Sequence, residues 1–294
     1  MNSDASLVSV YLPTHNRSRL LRRAIQSVVQ QTYRPIEILV CDDASSDDTP
    51  DVIRELQRQY DVPIRYFRNE TPMGACASRN TCIEAASGTF VTGLDDDDTF
   101  NIRRIELLMK YYDPAYSGIA STIRNCVEEV DLNDTESVPR GRGKVVSVGN
   151  DRMLFGNVLG SQLLMETERF RRIGGFDASF KAWQDYDAWV RMIDKYGPAQ
   201  HLLLDLYNSD FGHDGPRITT SSNRLVGAKQ FAEKHKNKMT PAQRRRFRLE
   251  YALMSNQRLS WKSLLSTFEC SSWKIWVKLL LRSLRSKGST IRDD

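Results

Sequence analysis

Strand-like runs and helical periods alternate through the first hundred residues, and this alternation leaves few folds open. Leu7 to Pro13 is a short β-rich run, and the segment after it carries Leu20, Leu21, Ala24, Ile25, Val28 and Val29 at helical spacing. Ile36 to Cys41 is a second strand. It enters the loop Asp42 to Pro50, where an Asp or Thr49 can cap a helix with Pro50 at its first position. Val62 to Phe67 is a third, and the small-residue helix behind it opens at Gly74 and stops at Gly88. Thr89 to Thr92 is a fourth, running into Gly93, Leu94 and the consecutive acids Asp95, Asp96, Asp97 and Asp98. Such a succession forms a parallel sheet with right-handed crossovers and helices on both faces. The expected class is α/β, a three-layer α/β/α sandwich around a mostly parallel central sheet.

Adjacent carboxylates repel one another, so nothing in folding favours an acid run behind an apolar strand unless a cation or a cationic ligand belongs there. Taken alone, the run suits a solvated loop or a calcium site equally well. Its position adds weight to the ligand reading. Asp42-Asp43 and Asp95 to Asp98 each end a strand of the same expected sheet, at the carboxyl edge where open α/β sheets bind ligands. The glycine fingerprints of dinucleotide and P-loop proteins are missing, so a diphosphate held here would need a divalent cation on carboxylates.

Past Asn101 a helix carries Ile102, Ile105, Leu108 and Met109 and ends near Asp113-Pro114. Residues 117–166 read as short strands around a polar excursion at Asn133–Gly143, expected as a surface loop. Gly174-Gly175 makes a turn, a helix rich in aromatics begins near Trp183-Gln184-Asp185, and His201 to Tyr207 is a last strand before a loop with His213.

Taken together, these blocks resemble family 2 glycosyltransferases. The resemblance rests on Val8-Ser9-Val10 through Asn16, Val40 through Thr49, Met73-Gly74 with Ser78-Arg79-Asn80, Gly88 to Val91 into the acids, Gly174 to Asp177, and Gln184 to Asp187. It covers about residues 7–215 and implies the GT-A fold and transfer of a sugar from a UDP-sugar donor with inversion at the anomeric carbon. Residue by residue, it implies that Asp43 accepts a hydrogen bond from the uracil, with Pro13, Thr14 and His15 against the base. Asp95 and Asp97 are the carboxylates of a DxD motif. Asp97 would ligate Mn²⁺ or Mg²⁺, Asp95 or Asp96 would face the ribose and the metal's waters, and the register within Asp95–Asp98 is open by one position. Arg79 would contact the diphosphate or pair with the acids. Asp185 matches the catalytic base, with Gln184 where the family usually has Glu; Asp187 ranks second. His213 is a loose match to a third metal ligand. Trp183 and Trp189 can stack on a sugar or pack in the core, and Cys76, Cys82 and His201 are expected in the core.

Charge is distributed unevenly. Residues 1–240 hold 30 Lys and Arg against 33 Asp and Glu, while residues 241–287 hold 11 against 2. From Ser272 a helix would place Trp273, Trp276, Val277, Leu280, Leu281 and Leu284 on one side, with Lys274, Lys278, Arg282 and Arg285 along its flank. A basic amphipathic helix of this kind suits an anionic membrane surface, where each basic residue contributes about 1 kcal/mol. The expected organisation is a catalytic domain at 1–215, with a nucleotide-sugar half at about 1–115 and an acceptor half at about 116–215, and a helical basic extension at 216–294. The five cysteines form no C-x-x-C pair, and neither a signal peptide nor a spanning run is legible, which fits a cytoplasmic protein peripheral on the inner face of the cell membrane.

A membrane-seeking tail on a sugar transferase points to a lipid-linked glycan acceptor, such as a polyprenyl-diphosphate saccharide of bacterial O-antigen or related polysaccharide assembly. Two other readings compete. One keeps the enzyme and gives it a soluble glycan or teichoic-type acceptor; the other is a non-catalytic nucleotide- or metal-binding module whose tail contacts nucleic acid. The tail has no DNA- or RNA-binding motif, so no nucleic acid partner is expected.

Overall fold

The computed structural model describes residues 5–127, 132, 139–212, 223–256 and 277–278. Contacts divide the chain into a catalytic unit, Met1–Met153 with Asn157–Phe180 and Gln184–Gly215, and a C-terminal unit, Leu154–Gly156 with Lys181–Trp183 and Pro216–Asp294.

In the catalytic unit β1 (Val8–Thr14) and β2 (Ile36–Asp42) are buried at every position, as strands covered on both faces must be. β3 (Ile64–Arg68), β2, β1 and β4 (Phe90–Gly93) lie side by side in parallel, and β8 (Met165–Glu166) adds an antiparallel edge, giving the order β3-β2-β1-β4-β8. The helices α1 (Ser18–Val29), α2 (Thr49–Gln59) and α3 (Ala75–Ala85) make the connections. From β1 the chain steps outward to β2 and β3, then returns to the other side of β1 for β4. Strand order therefore reverses between β1 and β4, which makes the gap beyond their carboxyl ends the natural crevice. Valines, leucines and isoleucines of β1, β2, α1 and α2 fill the core beneath.

A second sheet, absent from the sequence reading, stands beside the first. Its axis is β9 (Ala199–Asp210), flanked by β6 (Ile119–Cys126) in parallel; β7 (Gly141–Val148) pairs with one half of β9 and β5 (Thr99–Phe100) with the other. Gly141–Gly143, expected in a loop, opens β7. β5 follows the acid run directly, so Leu94–Asp98 is the bridge by which the chain leaves one sheet for the other. The remaining helices of this unit are α4 (Arg104–Tyr111), α5 (Asn150–Met153), α6 (Thr167–Arg171) and α7 (Gln184–Tyr196). At the start of α2, Asp47 rather than the preceding Asp48 accepts from the Thr49 backbone N–H and hydroxyl.

The C-terminal unit contains α8 (Asn223–His235) and α9 (Pro241–Met254). Thr240 caps α9 through a reciprocal pair: its Oγ1 accepts from Gln243 N–H, and Gln243 Oε1 accepts from Thr240 N–H. The amphipathic helix expected from Ser272 lies outside the described residues except for Val277 and Lys278.

Candidate active site

The bridge between the sheets sorts the four acids by exposure. Asp96 and Asp98 are buried, whereas the Asp95 and Asp97 side chains keep 26 % and 18 % of their surface. The crossing is a tight turn, closed by the Asp98 N–H donating to the Asp95 carbonyl at 3.1 Å, and the acids it leaves facing outward are two residues apart. Asp96 is tied down by Thr14 Oγ1 at 2.8 Å and Arg17 Nη1 at 3.0 Å. Burial pushes its carboxyl up to about 6, Arg17 opposes this, and the neighbouring Asp97 charge adds to it. Asp98 accepts the Asp210 N–H at 2.9 Å, and burial followed by repulsion from Asp95 and Asp97 holds its carboxyl well above the usual range. Arg17 also donates to Asp97 at 2.9 Å. Asp95 accepts from Arg79 Nη2 at 2.7 Å and from Gln162 Nε2 at 3.4 Å.

Arg79 is buried on α3 with its guanidinium over the Phe176 ring, and its Nε and Nη1 have no hydrogen-bond partner among the described residues. Both expected roles of Arg79 stay open to it, since one face of the group pairs with Asp95 and two nitrogens are unused. Gln162 joins the network from the other side, accepting from Tyr11 Oη at 2.7 Å.

At the next strand end, Asp42 is wholly buried and accepts from Ser45 N–H and Tyr66 Oη. Asp43 accepts from Asn69 Nδ2 at 2.7 Å, Met73 N–H at 2.7 Å and Gly74 N–H at 2.8 Å. Burial raises its pKa, but these hydrogen bonds outweigh it and hold the carboxyl below its ordinary value. Pro13 and Thr14 are buried at the end of β1, and exposed His15 donates from Nδ1 to the Asp43 carbonyl at 2.7 Å. Asn16, in the left-handed region at φ 52°, and Ser45 and Ser46 lace the two loops together.

Asp185 lies in the first turn of α7. Asn157 Nδ2 donates to its Oδ2 at 3.0 Å. Burial pushes the Asp185 carboxyl up to about 6; the Tyr186 N–H and the Arg79 charge oppose this, and the Asp95 charge reinforces it. Asp185 thus feels the charges of both members of the Arg79–Asp95 pair. Asp187 is fully buried in an ion pair with Arg191 at 2.8 Å, a structural commitment. Trp189 is core, packed on Phe170 and Phe176, which removes it from sugar stacking. Cys76 and Cys82 are buried, and His201 is half-buried. His213 lies outside the described residues.

Carboxylate oxygens at Asp95 and Asp97 suit a hard divalent cation. Among the described residues no cluster of three or more His, Cys, Asp or Glu is arranged to hold a metal ion. Sequence reasoning missed Arg17, Tyr11, Asn157 and Gln162. Arg17 could have been suspected from its place in the loop after β1; Asn157 and Gln162 carry no local signal.

The sequence model of Glycosyl transferase family 2 matches residues 9–160, from β1 through the loop that carries Asn157. The chain belongs to this family. As a family 2 glycosyltransferase it is an enzyme, and its relatives are of the same kind. It is 30% identical over 91% of its length, and over 95% of the relative's, to WcaA of Escherichia coli (strain K12), a glycosyl transferase whose name places it in colanic acid biosynthesis. It is 36% identical over 74% of its length, and over 69% of the relative's, to the GalNAc(5)-diNAcBac-PP-undecaprenol beta-1,3-glucosyltransferase of Campylobacter jejuni. Among solved structures, the S. aureus TarS fragment 1–349 in complex with UDP-GlcNAc matches 93% of this chain and 79% of its own, with a TM-score of 0.62 at 17% identity. This chain spans 48% of the longer TarS chain. The fold of this glycosyltransferase is accordingly GT-A.

Proposed function

We propose that this glycosyltransferase moves a sugar from a UDP-sugar to a lipid-linked saccharide in bacterial surface polysaccharide assembly, with inversion and with the aid of a divalent cation. The observation that carries the reading is the outward pair Asp95 and Asp97 at the carboxyl edge of the first sheet, with Arg79 bonded to Asp95 at 2.7 Å. Asp95 and Asp97 would hold Mn²⁺ or Mg²⁺, and what such a cation supplies when bound is charge neutralisation on the leaving diphosphate.

The chain's own residues do the rest. Asp43, fixed by Asn69 and the Met73 and Gly74 amides, stays ionised as an acceptor for the uracil imide, with the Pro13–His15 loop beside the base. Asp185 is mostly ionised at neutral pH and takes the acceptor hydroxyl's proton as its oxygen attacks the anomeric carbon. The bond from that carbon to the diphosphate oxygen breaks, UDP leaves, and an α-linked donor yields a β-linked product. Arg79, bonded to Asp95 at 2.7 Å, offsets the Asp95 charge that would otherwise favour protonated Asp185.

The names of two relatives support the acceptor class: the C. jejuni enzyme, and a UDP-Glc:alpha-D-GlcNAc-diphosphoundecaprenol glucosyltransferase of E. coli that is 39% identical over 35% of this chain. The basic tail supports docking on an anionic membrane. Among the described residues no helix is long and apolar enough to cross one. The test is incubation with labelled UDP-sugars, Mn²⁺ and either a polyprenyl-diphosphate saccharide or the same saccharide free in solution. Label passing into the organic phase only with the lipid-linked acceptor supports the reading; transfer to the free saccharide alone moves the acceptor to a soluble or teichoic-type glycan.

A further inference from the structure

Both acids that look outward at the sheet edge already carry a guanidinium. Arg79 Nη2 donates to Asp95 at 2.7 Å, and Arg17 Nη1 donates to Asp97 at 2.9 Å while also reaching Asp96 at 3.0 Å. The two arginines are not equivalent. Arg79 is buried on α3 with its guanidinium over the Phe176 ring, whereas Arg17 lies in the loop after β1 and its side chain keeps 22 % of its surface. A divalent cation that used Asp97 would meet the Arg17 charge first.

Arg17 is also at odds with its local position. It is the N-cap of α1, where Ser, Thr, Asp or Asn serve best, and the first turn of α1 has no acid to offset a cation at the positive end of the helix. The cap is made from another loop, by Asp47 Oδ2, which accepts from the Ser18 N–H at 3.1 Å. The neighbours of Arg17 are tied as well, His15 to the Asp43 carbonyl and Asn16 to Ser45 and Ser46. Nothing in helix formation selects an arginine here, so the reason for it lies in the acids it bonds.

We propose that Arg17 holds Asp97 against a free divalent cation and yields it when the donor's diphosphate arrives, so that cation and nucleotide bind as a pair. A guanidinium bonds phosphate oxygens as well as it bonds carboxylate oxygens. A diphosphate therefore gives Arg17 another anion and leaves Asp97 available; without it, like charge disfavours the cation. The effect is mutual by linkage: the factor by which UDP tightens Mn²⁺ is the factor by which Mn²⁺ tightens UDP. This coupling rests on Asp97 being a cation ligand, as proposed above.

The test is Mn²⁺ binding to the full-length protein, read by electron paramagnetic resonance with and without UDP, in wild type, Arg17→Gln and Arg17→Lys. Wild type is expected to bind Mn²⁺ about tenfold or more tightly with UDP than without. Arg17→Gln, which removes the charge, is expected to bind Mn²⁺ alone about fivefold or more tightly than wild type does, and the effect of UDP shrinks accordingly. Arg17→Lys, which keeps the charge, should stay closer to wild type. An Arg17→Gln protein that binds Mn²⁺ alone as weakly as wild type, or more weakly, would overturn the inference. Should Arg17→Gln not fold, the guanidinium resonance of Arg17 in the wild type, assigned by its absence from Arg17→Lys, decides instead. It should move when Mg²⁺ and UDP are added together and stay in place with Mg²⁺ alone; any other pattern would overturn the inference. Mn²⁺ binding to none of the proteins, with or without UDP, would sink the cation reading of Asp97 itself and this coupling with it.

Discussion

Asn157 donates its side-chain N–H to Oδ2 of Asp185 at 3.0 Å, and its own turn is closed by hydrogen bonds to and from Gly160. This bond favours the ionised carboxylate, against a burial that pushes Asp185 up to about 6. A general base works when deprotonated, so activity should rise with pH through about 6 and level above it, falling tenfold per pH unit on the acid side. Asn157→Ala should move that limb to higher pH. The loss of rate would then be large at pH 6 and small at pH 8, read from kcat–pH profiles of the two proteins.

Stability should depend on pH in the opposite sense over part of the range. Asp96 and Asp185 have folded pKa values near 6, above the ordinary carboxylate value, so the folded state holds protons that the unfolded chain releases between about pH 4 and 6. Raising the pH through that window removes stability. Asp43 and Asp47 are lowered in the fold, and their contribution, present above about pH 4, is lost as the pH falls further. Metal-free protein should therefore show its highest Tm near about pH 4, and Asp96→Asn should flatten the decline above it. Differential scanning calorimetry across pH 3 to 8 checks both.

Gly93 closes β4 where no side chain fits. A Cβ there would lie 2.2 Å from Gln162 Oε1 and 2.2 Å from the Tyr11 ring. Gly93→Ala must displace Gln162, which links Tyr11 to Asp95. The expected cost is about 1–3 kcal/mol in urea unfolding, with transfer activity lost by more than the stability change explains.

Membrane docking by the tail should follow electrostatics. Full-length protein should co-sediment with vesicles containing anionic lipid and not with neutral ones, and should be released as salt rises and screens the tail's Lys and Arg. Removing the last residues from Ser272 should abolish co-sedimentation. Equal binding to neutral vesicles would contradict the electrostatic account.

Much of the first sheet was legible because its signals are local: apolar strands, helical periods and the acids that end β2 and β4. The second sheet was not. Its axis, β9, pairs with β5, β6 and β7 from three separate parts of the chain, and no window of sequence carries such pairings. The acid run shows the same division. Its presence was plain, but the sorting into outward Asp95 and Asp97 and inward Asp96 and Asp98 follows from a crossing between two sheets. Asn157 and Gln162 come from a loop whose sequence is ordinary, and only the fold brings them to Asp185 and Asp95. Trp183 and Trp189 looked alike in sequence, yet Trp189 is core of the catalytic unit and Trp183 is held by α8 and α9.

The central claim joins a donor site at Asp95 and Asp97 to a base at Asp185, and UDP release from a UDP-sugar panel tests it most directly, with Mn²⁺ or EDTA, in wild type, Asp97→Ala and Asp185→Asn. Wild type should turn over one donor with Mn²⁺ and stop with EDTA, and Asp97→Ala should be inactive under both conditions. Asp185→Asn should lose about a thousandfold or more in kcat while binding UDP as the wild type does. Metal-independent turnover in the wild type, or full activity in either variant, would contradict the account.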